Sequence, residues 1–269
     1  MSDLGSEPSA QSDLGSEPSA QSDLGIRPSR GAISVIPVGG MPEVRPGDDL
    51  AQLIAAAVGT KGGDVVVLAD GDVVVVTQKV VSKAEGRLVA IDPDDPGARN
   101  ALIIGEAVRV LRRRGDLVMT ETRHGFVCAN SGVDLSNVER GWAALLPVDA
   151  DRSARGIRQA LRARLGVTVG VIVSDTFGRT WRRGVTDVAI GCAGVAAVVD
   201  LRGSTDALGR ELTVTEVCVA DEIAAAAEMV MGKALAIPVA VVRGVDRSWL
   251  RESSVRDEIV RNPSEDLFR

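Results

Sequence analysis

The stretch VTVGVIV (167–173) constrains this chain most. It carries no charge and no polar alternation, the pattern of a strand covered on both faces, which a sheet acquires when helices pack on both of its sides. Such a strand needs apolar strands beside it and amphipathic helices between them, and both are present. ISVIPV (33–38) and IPVAVVRG (237–244) read as strands, and DVVVLADGDVVVVTQKVVSK (64–83) reads as two Val-rich strands joined by a hairpin turn at Ala69-Asp70-Gly71-Asp72. DDLAQLIAAAV (48–58) opens on acids and spaces its apolar residues as a helix does. Further helices are predicted over about 153–165, where Ile157, Leu161 and Leu165 share a face, and over 97–114, with Arg109, Arg112, Arg113 and Arg114 toward its end. LVMTETRHGFVCANSG (117–132) returns to strand, and VTEVCVADEIAAAAEMVMGKA (214–234) runs from a strand into an Ala-rich helix. Alternation of the two element types sets the class as α/β, or mixed α+β.

One segment cannot join such a core. SDLGSEPSAQ fills 2–11 and again 12–21, and a third copy begins at Ser22 and decays. With little but Ser, Gly, Pro and acid, it has too little apolar surface to fold. Residues 1–30 are therefore expected to be a disordered repeat tail, 31–246 the folded domain and 247–269 a C-terminal extension.

Composition removes several function classes. A net charge of −6 and an aromatic content of 2% argue against nucleic acid, which is bound through basic patches and stacking platforms. His124 is the single histidine, which disfavours a His-based zinc site and a Ser-His-Asp triad. Cys128, Cys192 and Cys218 are too far apart in sequence to suggest a disulfide framework. No apolar run approaches the roughly 18 residues of a membrane span. The start MSDLGSEPSA lacks a signal-peptide pattern, so the expected location is cytoplasmic.

Asp175 follows directly on the buried strand, where α/β folds place ligands. SDTFGRTWRRG (174–184) adds the Thr176 hydroxyl and the guanidiniums of Arg179, Arg182 and Arg183. A carboxylate and a hydroxyl suit Mg²⁺ or Mn²⁺, and guanidiniums suit phosphate or carboxylate; equally, Asp175 could close a turn beside surface charge. ANSGVDLSN (129–137) is a second polar island, with Asp134 among small residues that let a ligand approach. Lys79 and Lys83 follow a Val-rich strand as possible phosphate contacts or as a solvated face. Neither standard glycine cradle for a nucleotide is present.

The strings PVGGMPEVRPGDDL (37–50), GDVVVVTQKVVSKAEGR (71–87), ETRHGFVCANSGVDLSNV (121–138), SDTFGRTWRRGVTDVAIGCAG (174–194) and TEVCVADEIAAAAEMVMGKALAIPVAVVRG (215–244) together resemble the coenzyme F420-0:L-glutamate ligase family. The resemblance is nearest the actinobacterial branch, whose members often carry a C-terminal flavin-dependent reductase domain; with the sequence ending at EDLFR, a ligase domain alone is expected. It implies an intertwined homodimer of mixed sheets that uses GTP to add L-glutamate to coenzyme F420-0, and then further γ-linked glutamates, through an acyl phosphate. It also implies a pair of Mg²⁺ or Mn²⁺ ions per site, with K⁺ as a further ion. Carried onto matching positions, Asp134 and Asp175 would hold the first metal and act in catalysis. Thr176 would help hold the second with a group from the Met231-Gly232-Lys233 turn. The nucleotide would meet Met41, Pro42, Glu43, Val44, Gln78, Lys83 and Asn137, and the backbone of Met229, Val230, Met231, Gly232, Lys233, Ala234, Leu235 and Ala236. Arg179 and Arg182 are suggested for the acidic substrate on charge alone. The segment 59–76 looks longer than the family pattern. Two other readings stay open: a metal-dependent GTP ligase or phosphotransferase on another acidic acceptor, and a non-catalytic nucleotide- or deazaflavin-binding subunit.

Overall fold

A computed structural model of the chain describes residues 31–59 and 66–266. The repeat tail and residues 60–65, within the 59–76 segment, lie outside the described residues. In chain order the elements are β1 (Ser34–Val38), α1 (Leu50–Ala57), β2 (Val73–Thr77), α2 (Gln78–Ala84), β3 (Leu88–Ala90), α3 (Pro96–Glu106), β4 (Ala107–Arg114), β5 (Leu117–Thr122), β6 (Val127–Ala129), β7 (Trp142–Ala144), α4 (Ala150–Leu165), β8 (Gly170–Gly178), β9 (Val185–Ala193), β10 (Val199–Asp200), β11 (Glu216–Val217), α5 (Val219–Met231), β12 (Val239–Arg243) and α6 (Val255–Glu258). The mixed α+β class is observed.

The central sheet has the order β1-β12-β2-β8-β9. β2 and β8 are parallel, with Thr77 opposite Ser174, and β12 runs antiparallel between β1 and β2. The C-terminal ends of β1, β2 and β8 therefore emerge on one edge. Alternate residues of each strand face opposite sides, and both sides are covered. On one side, Val74, Val76, Val171, Val173, Val239 and Val241 pack against α1 and α4 through Ile54, Ala154, Ile157 and Leu161. On the other, Val73, Val75, Ile172, Ala240 and Val242 meet Ala220, Ile223, Ala224 and Ala227 of α5. Double coverage is what the uncharged VTVGVIV run required. A smaller core of Ile103, Val118, Val133, Ala143 and Leu145 holds together the sheets β3-β7 and β4-β5-β6.

Local chemistry sets the helix ends. Asp49 caps α1 by accepting from the Gln52 N–H at 2.9 Å, and Asp149 caps α4 by accepting from the Arg152 N–H at 2.8 Å. α4 ends at Gly166, in the left-handed region at φ 72°.

Two expectations are corrected. The Val-rich stretch 64–83 contains one strand, not two: among the described residues, Val66–Ala69 pairs with no strand, and the chain enters α2 at Gln78. Both edges of β2 are already taken by β12 and β8, so a preceding strand has no edge to join. The turn is held instead by Asp72, which is buried, accepts from the Ala69 N–H at 2.9 Å and pairs with both Nε and Nη2 of Arg243 at 2.8 and 2.7 Å. The predicted helix over 97–114 stops at Glu106, and the arginine-rich half is β4. As a strand it pairs with β5, where Arg109 meets Glu121 at 2.8 Å, a cross-strand charge pair that a helix could not make.

Residues beyond 246 build part of the second layer. Trp249, Leu250, Val255, Ile259 and Val260 pack onto the α5 side of the sheet, and the Ala196 N–H donates to the Trp249 carbonyl at 2.6 Å.

Candidate active site

A cleft of about 360 Å³ opens where β1, β2 and β8 end. At the end of β2 the backbone turns straight into α2, which sets Gln78, Lys79 and Lys83 on one wall. Gln78 is buried, and its Nε2 donates to Ser82 Oγ at 2.6 Å and to the Leu145 carbonyl at 2.9 Å. The loop after β1 supplies Met41, Pro42, Glu43 and Val44, and the Lys83 ammonium ties this loop to α2 by pairing with Glu43.

On β8 the pairing with β9 shifts register between Val173 and Ser174. Val173 pairs with Gly191 and Ser174 with Ala189, so the extra residue is Ile190 on β9, and such a bulge re-aims the side chains beyond it on that strand, among them Asp187. Asp187 on β9 is buried and accepts from the Ser174 hydroxyl at 2.9 Å and the Thr176 hydroxyl at 2.6 Å. The Lys233 ammonium reaches the Thr176 hydroxyl from the turn after α5.

Asp134 enters from a separate loop, held by a two-way backbone bridge with Ala144. Its Oδ2 pairs with the Lys79 ammonium at 2.8 Å and its Oδ1 accepts from the Ser136 N–H at 2.7 Å. Burial works to raise the Asp134 carboxyl, but Lys79 and Ser136 outweigh it and hold the group below its ordinary value. Asp175 lacks such a partner. Burial, followed by repulsion from Asp134 and Asp187, pushes its carboxyl up to about 7, against the pull of the Thr176 N–H and of Lys233. Glu228, also on the cleft, is raised by burial and by Asp187. Asp134 and Asp175, 41 residues apart in sequence, thus face one space and feel each other's charge.

Most residues singled out from the sequence line this cleft: Met41, Pro42, Glu43, Val44, Gln78, Lys83, Asp134, Asn137, Asp175, Thr176, Gly232, Lys233, Ala234 and Ala236. Four do not. Met229 and Leu235 are exposed, Val230 packs on the α5 core, and Met231 is fully buried within it, so its thioether is turned away from the cleft. Arg179 and Arg182 stand exposed in the loop between β8 and β9, outside the cleft lining, as does Trp181. The His124 Nε2–H donates to the Pro147 carbonyl at 2.9 Å, and its ring stacks on Phe126.

Sequence reading missed Ser174, Asp187 and Glu228, and left Lys79 undecided. Asp187 did leave a signal, since it interrupts the apolar strand VTDVAIG (185–191) with a charge on the face it shares with Val185 and Ala189. Asn137 and Ala236, both on the cleft, adopt left-handed backbone at φ 52° and 53°, an uncommon conformation that side chains accept where surrounding structure enforces it.

Among the described residues, no three Asp, Glu, His or Cys side chains stand close enough together to hold a metal by themselves. The donors present are nevertheless all oxygen: the carboxylates of Asp134 and Asp175 and the hydroxyl of Thr176. Mg²⁺ is held by one or two carboxylates, retained waters and substrate phosphates, so the set fits a hard divalent cation that completes its shell with substrate. The repulsion borne by Asp175 is what such a cation would relieve.

An α+β domain that gathers carboxylates, hydroxyls and ammonium groups at one edge of its sheet has the chemistry of an enzyme for highly charged substrates. The chain belongs to the F420-0:Gamma-glutamyl ligase family, whose sequence model matches residues 40–244. The coenzyme F420:L-glutamate ligase of Methanothermobacter thermautotrophicus is 42% identical over 253 residues, covering 88% of this chain and 99% of the relative. The ligase of the same name from Methanopyrus kandleri is 43% identical over 244 residues, covering 84% of this chain and 94% of the relative. That from Archaeoglobus fulgidus is 42% identical over 251 residues, covering 88% and 96%. Among the described residues, no helix is long and apolar enough to cross a membrane.

Proposed function

We propose that this chain is a cytoplasmic, GTP-dependent ligase that adds L-glutamate to coenzyme F420-0 and then further γ-linked glutamates. Its family membership and the names of its relatives support the acceptor and the amino acid. The observation that carries the reading is the meeting of Asp134, Asp175 and Thr176 in one cleft with the Met41–Val44 loop and the 232–236 turn.

A carboxylate is a poor electrophile, and phosphorylation gives it a leaving group. An acceptor carboxylate oxygen attacks the γ-phosphorus of GTP, the bond to the β-phosphate oxygen breaks, and GDP departs. The glutamate amine then attacks the carbonyl carbon of the acyl phosphate, a C–N bond forms, phosphate leaves and the amine proton passes to a base. Asp134, Asp175 and Thr176 would hold the divalent ions, which when bound neutralise charge on the transferring phosphoryl group. Lys83 and Lys233 offer ammonium groups to phosphate oxygens, and Asp187 fixes the two hydroxyls of β8.

Replacing glutamate with hydroxylamine tests this route, because an acyl phosphate is trapped as a hydroxamate. GTP-dependent hydroxamate formation is expected; its absence in a preparation that still ligates glutamate would rule the intermediate out. Removing divalent ions with a chelator should stop GDP formation and Mg²⁺ should restore it, whereas an unaffected rate would contradict a metal-dependent site.

We also propose a homodimer, seated on the β4-β5-β6 sheet. Val108 is 68% exposed there, and Leu117 and Val127 are 45% exposed. Val108→Asp should shift the mass measured by light scattering from dimer toward monomer; an unchanged dimer would place the interface elsewhere.

A further inference from the structure

A second concavity, of about 590 Å³, lies between the β5–β6 turn and the C-terminal segment. The turn presents Arg123 and His124; the segment presents Arg256, Asp257, Val260 and Arg261. Their junction is tight, because Gly125 sits at φ +85° and a Cβ there would come within 2.6 Å of Val260 Cγ1. The concavity is therefore walled by packed structure and not by two loose ends.

Its charge is lopsided. Asp257 is the single acid on the wall, and its carboxylate already accepts from the Ser254 hydroxyl at 2.7 Å. Arg123 shares Glu106 at 3.1 Å, while Arg256 and Arg261 are exposed and, among the described residues, have no side-chain ion-pair partner. Ring contacts lead from His124, on this concavity, to β8. His124 stacks on Phe126 with ring centroids 5.7 Å apart, and Phe126 meets Phe177 edge-on at 6.0 Å. Phe177 lies two residues beyond Asp175 on β8, on the same face.

We propose that this concavity is a second, non-catalytic binding site for a chain of carboxylates. Guanidinium forks match carboxylates in pairs, and arginines arriving from two separate segments suit an extended anion better than a compact one. The depression is open to solvent, so an extended ligand can lie across it. A growing oligoglutamate is such a chain, so the identity of the ligand rests on the ligase reading, while the cationic site itself does not.

The test is calorimetric titration of the full chain with a synthetic tri-γ-glutamate peptide, without GTP or deazaflavin. The peptide is expected to bind, to weaken as salt rises, and to lose about tenfold or more in affinity in Arg256→Ala/Arg261→Ala. Arg261→Glu, at an exposed position whose change leaves packing intact, should lose at least as much, and Asp175→Asn should bind as the wild type does. Unchanged affinity in both arginine variants would overturn the site. Displacement of the peptide by equimolar inorganic phosphate would overturn the carboxylate-chain assignment in favour of a phosphate site. The proposed function fails separately: a chain that binds the peptide yet never ligates glutamate sinks only the ligase reading, and one that ligates without arginine-dependent binding sinks only this one.

Discussion

Asp175→Asn should lower product formation by roughly 10³-fold, equivalent to about 4 kcal/mol of lost transition-state stabilisation. The side chain keeps its size, but the charge that would face a metal and a transferring phosphoryl group is gone. Nothing in the fold depends on that charge. Asp175 is held above its ordinary range by burial and by its acidic neighbours, so its ionised form opposes folding in the metal-free chain. The sign follows from proton counting. With an ordinary value of 3.8 and a folded value of about 7, the folded state binds more protons between them, and stability falls as pH rises through that window. The asparagine variant should lack this fall and, metal-free, melt no lower than wild type near neutral pH. Initial rates by product mass, with melting curves at several pH values, check both halves. Near-normal turnover would sink the metal assignment, and a collapsed melting curve would show the residue to be structural.

The largest effect on stability is expected far from the chemistry, at Asp151. This buried carboxylate in the first turn of α4 accepts from the backbone N–H groups of Cys192 at 2.8 Å, Val255 at 2.9 Å and Arg256 at 3.2 Å. One side chain thereby joins a helix, the C-terminal end of β9 and the C-terminal segment. β9 approaches closely at the same point, since a Cβ on Gly191 would come within 2.2 Å of the Ala150 carbonyl carbon. Asp151→Ala leaves buried donors without acceptors and should cost about 3–5 kcal/mol. For a domain of this size that corresponds to a fall in melting temperature of roughly 10 °C. A shift within about 2 °C would mean that water or a backbone adjustment satisfies the donors.

What could be read beforehand depended on how local the cause was. VTVGVIV declared a doubly covered strand because burial on both faces leaves a local mark, and α4 was legible from the face shared by Ile157 and Leu161. Val66–Leu68 has as much strand propensity as Val73–Val76 and still pairs with nothing, because competition for the edges of β2 is decided by β8 and β12, far away in sequence. The stretch 97–114 misled for a related reason: Arg109 and its neighbours suit a helix end until Glu121 offers a partner across a hairpin. At the site, Asp134 and Asp175 each carried a local hint, but their meeting depends on the path of separate loops. Asp187 required the bulge at Ile190 on its own strand before its carboxylate could hold both hydroxyls.

The central claim is the reaction itself. Incubating the full chain with coenzyme F420-0, L-glutamate, GTP and Mg²⁺, and following the deazaflavin by mass, tests it most directly. The account predicts product masses rising in steps of one glutamyl residue, dependent on GTP and accompanied by GDP. GTP consumption with no glutamyl addition to the deazaflavin would contradict it, as would tight deazaflavin binding with no turnover at all.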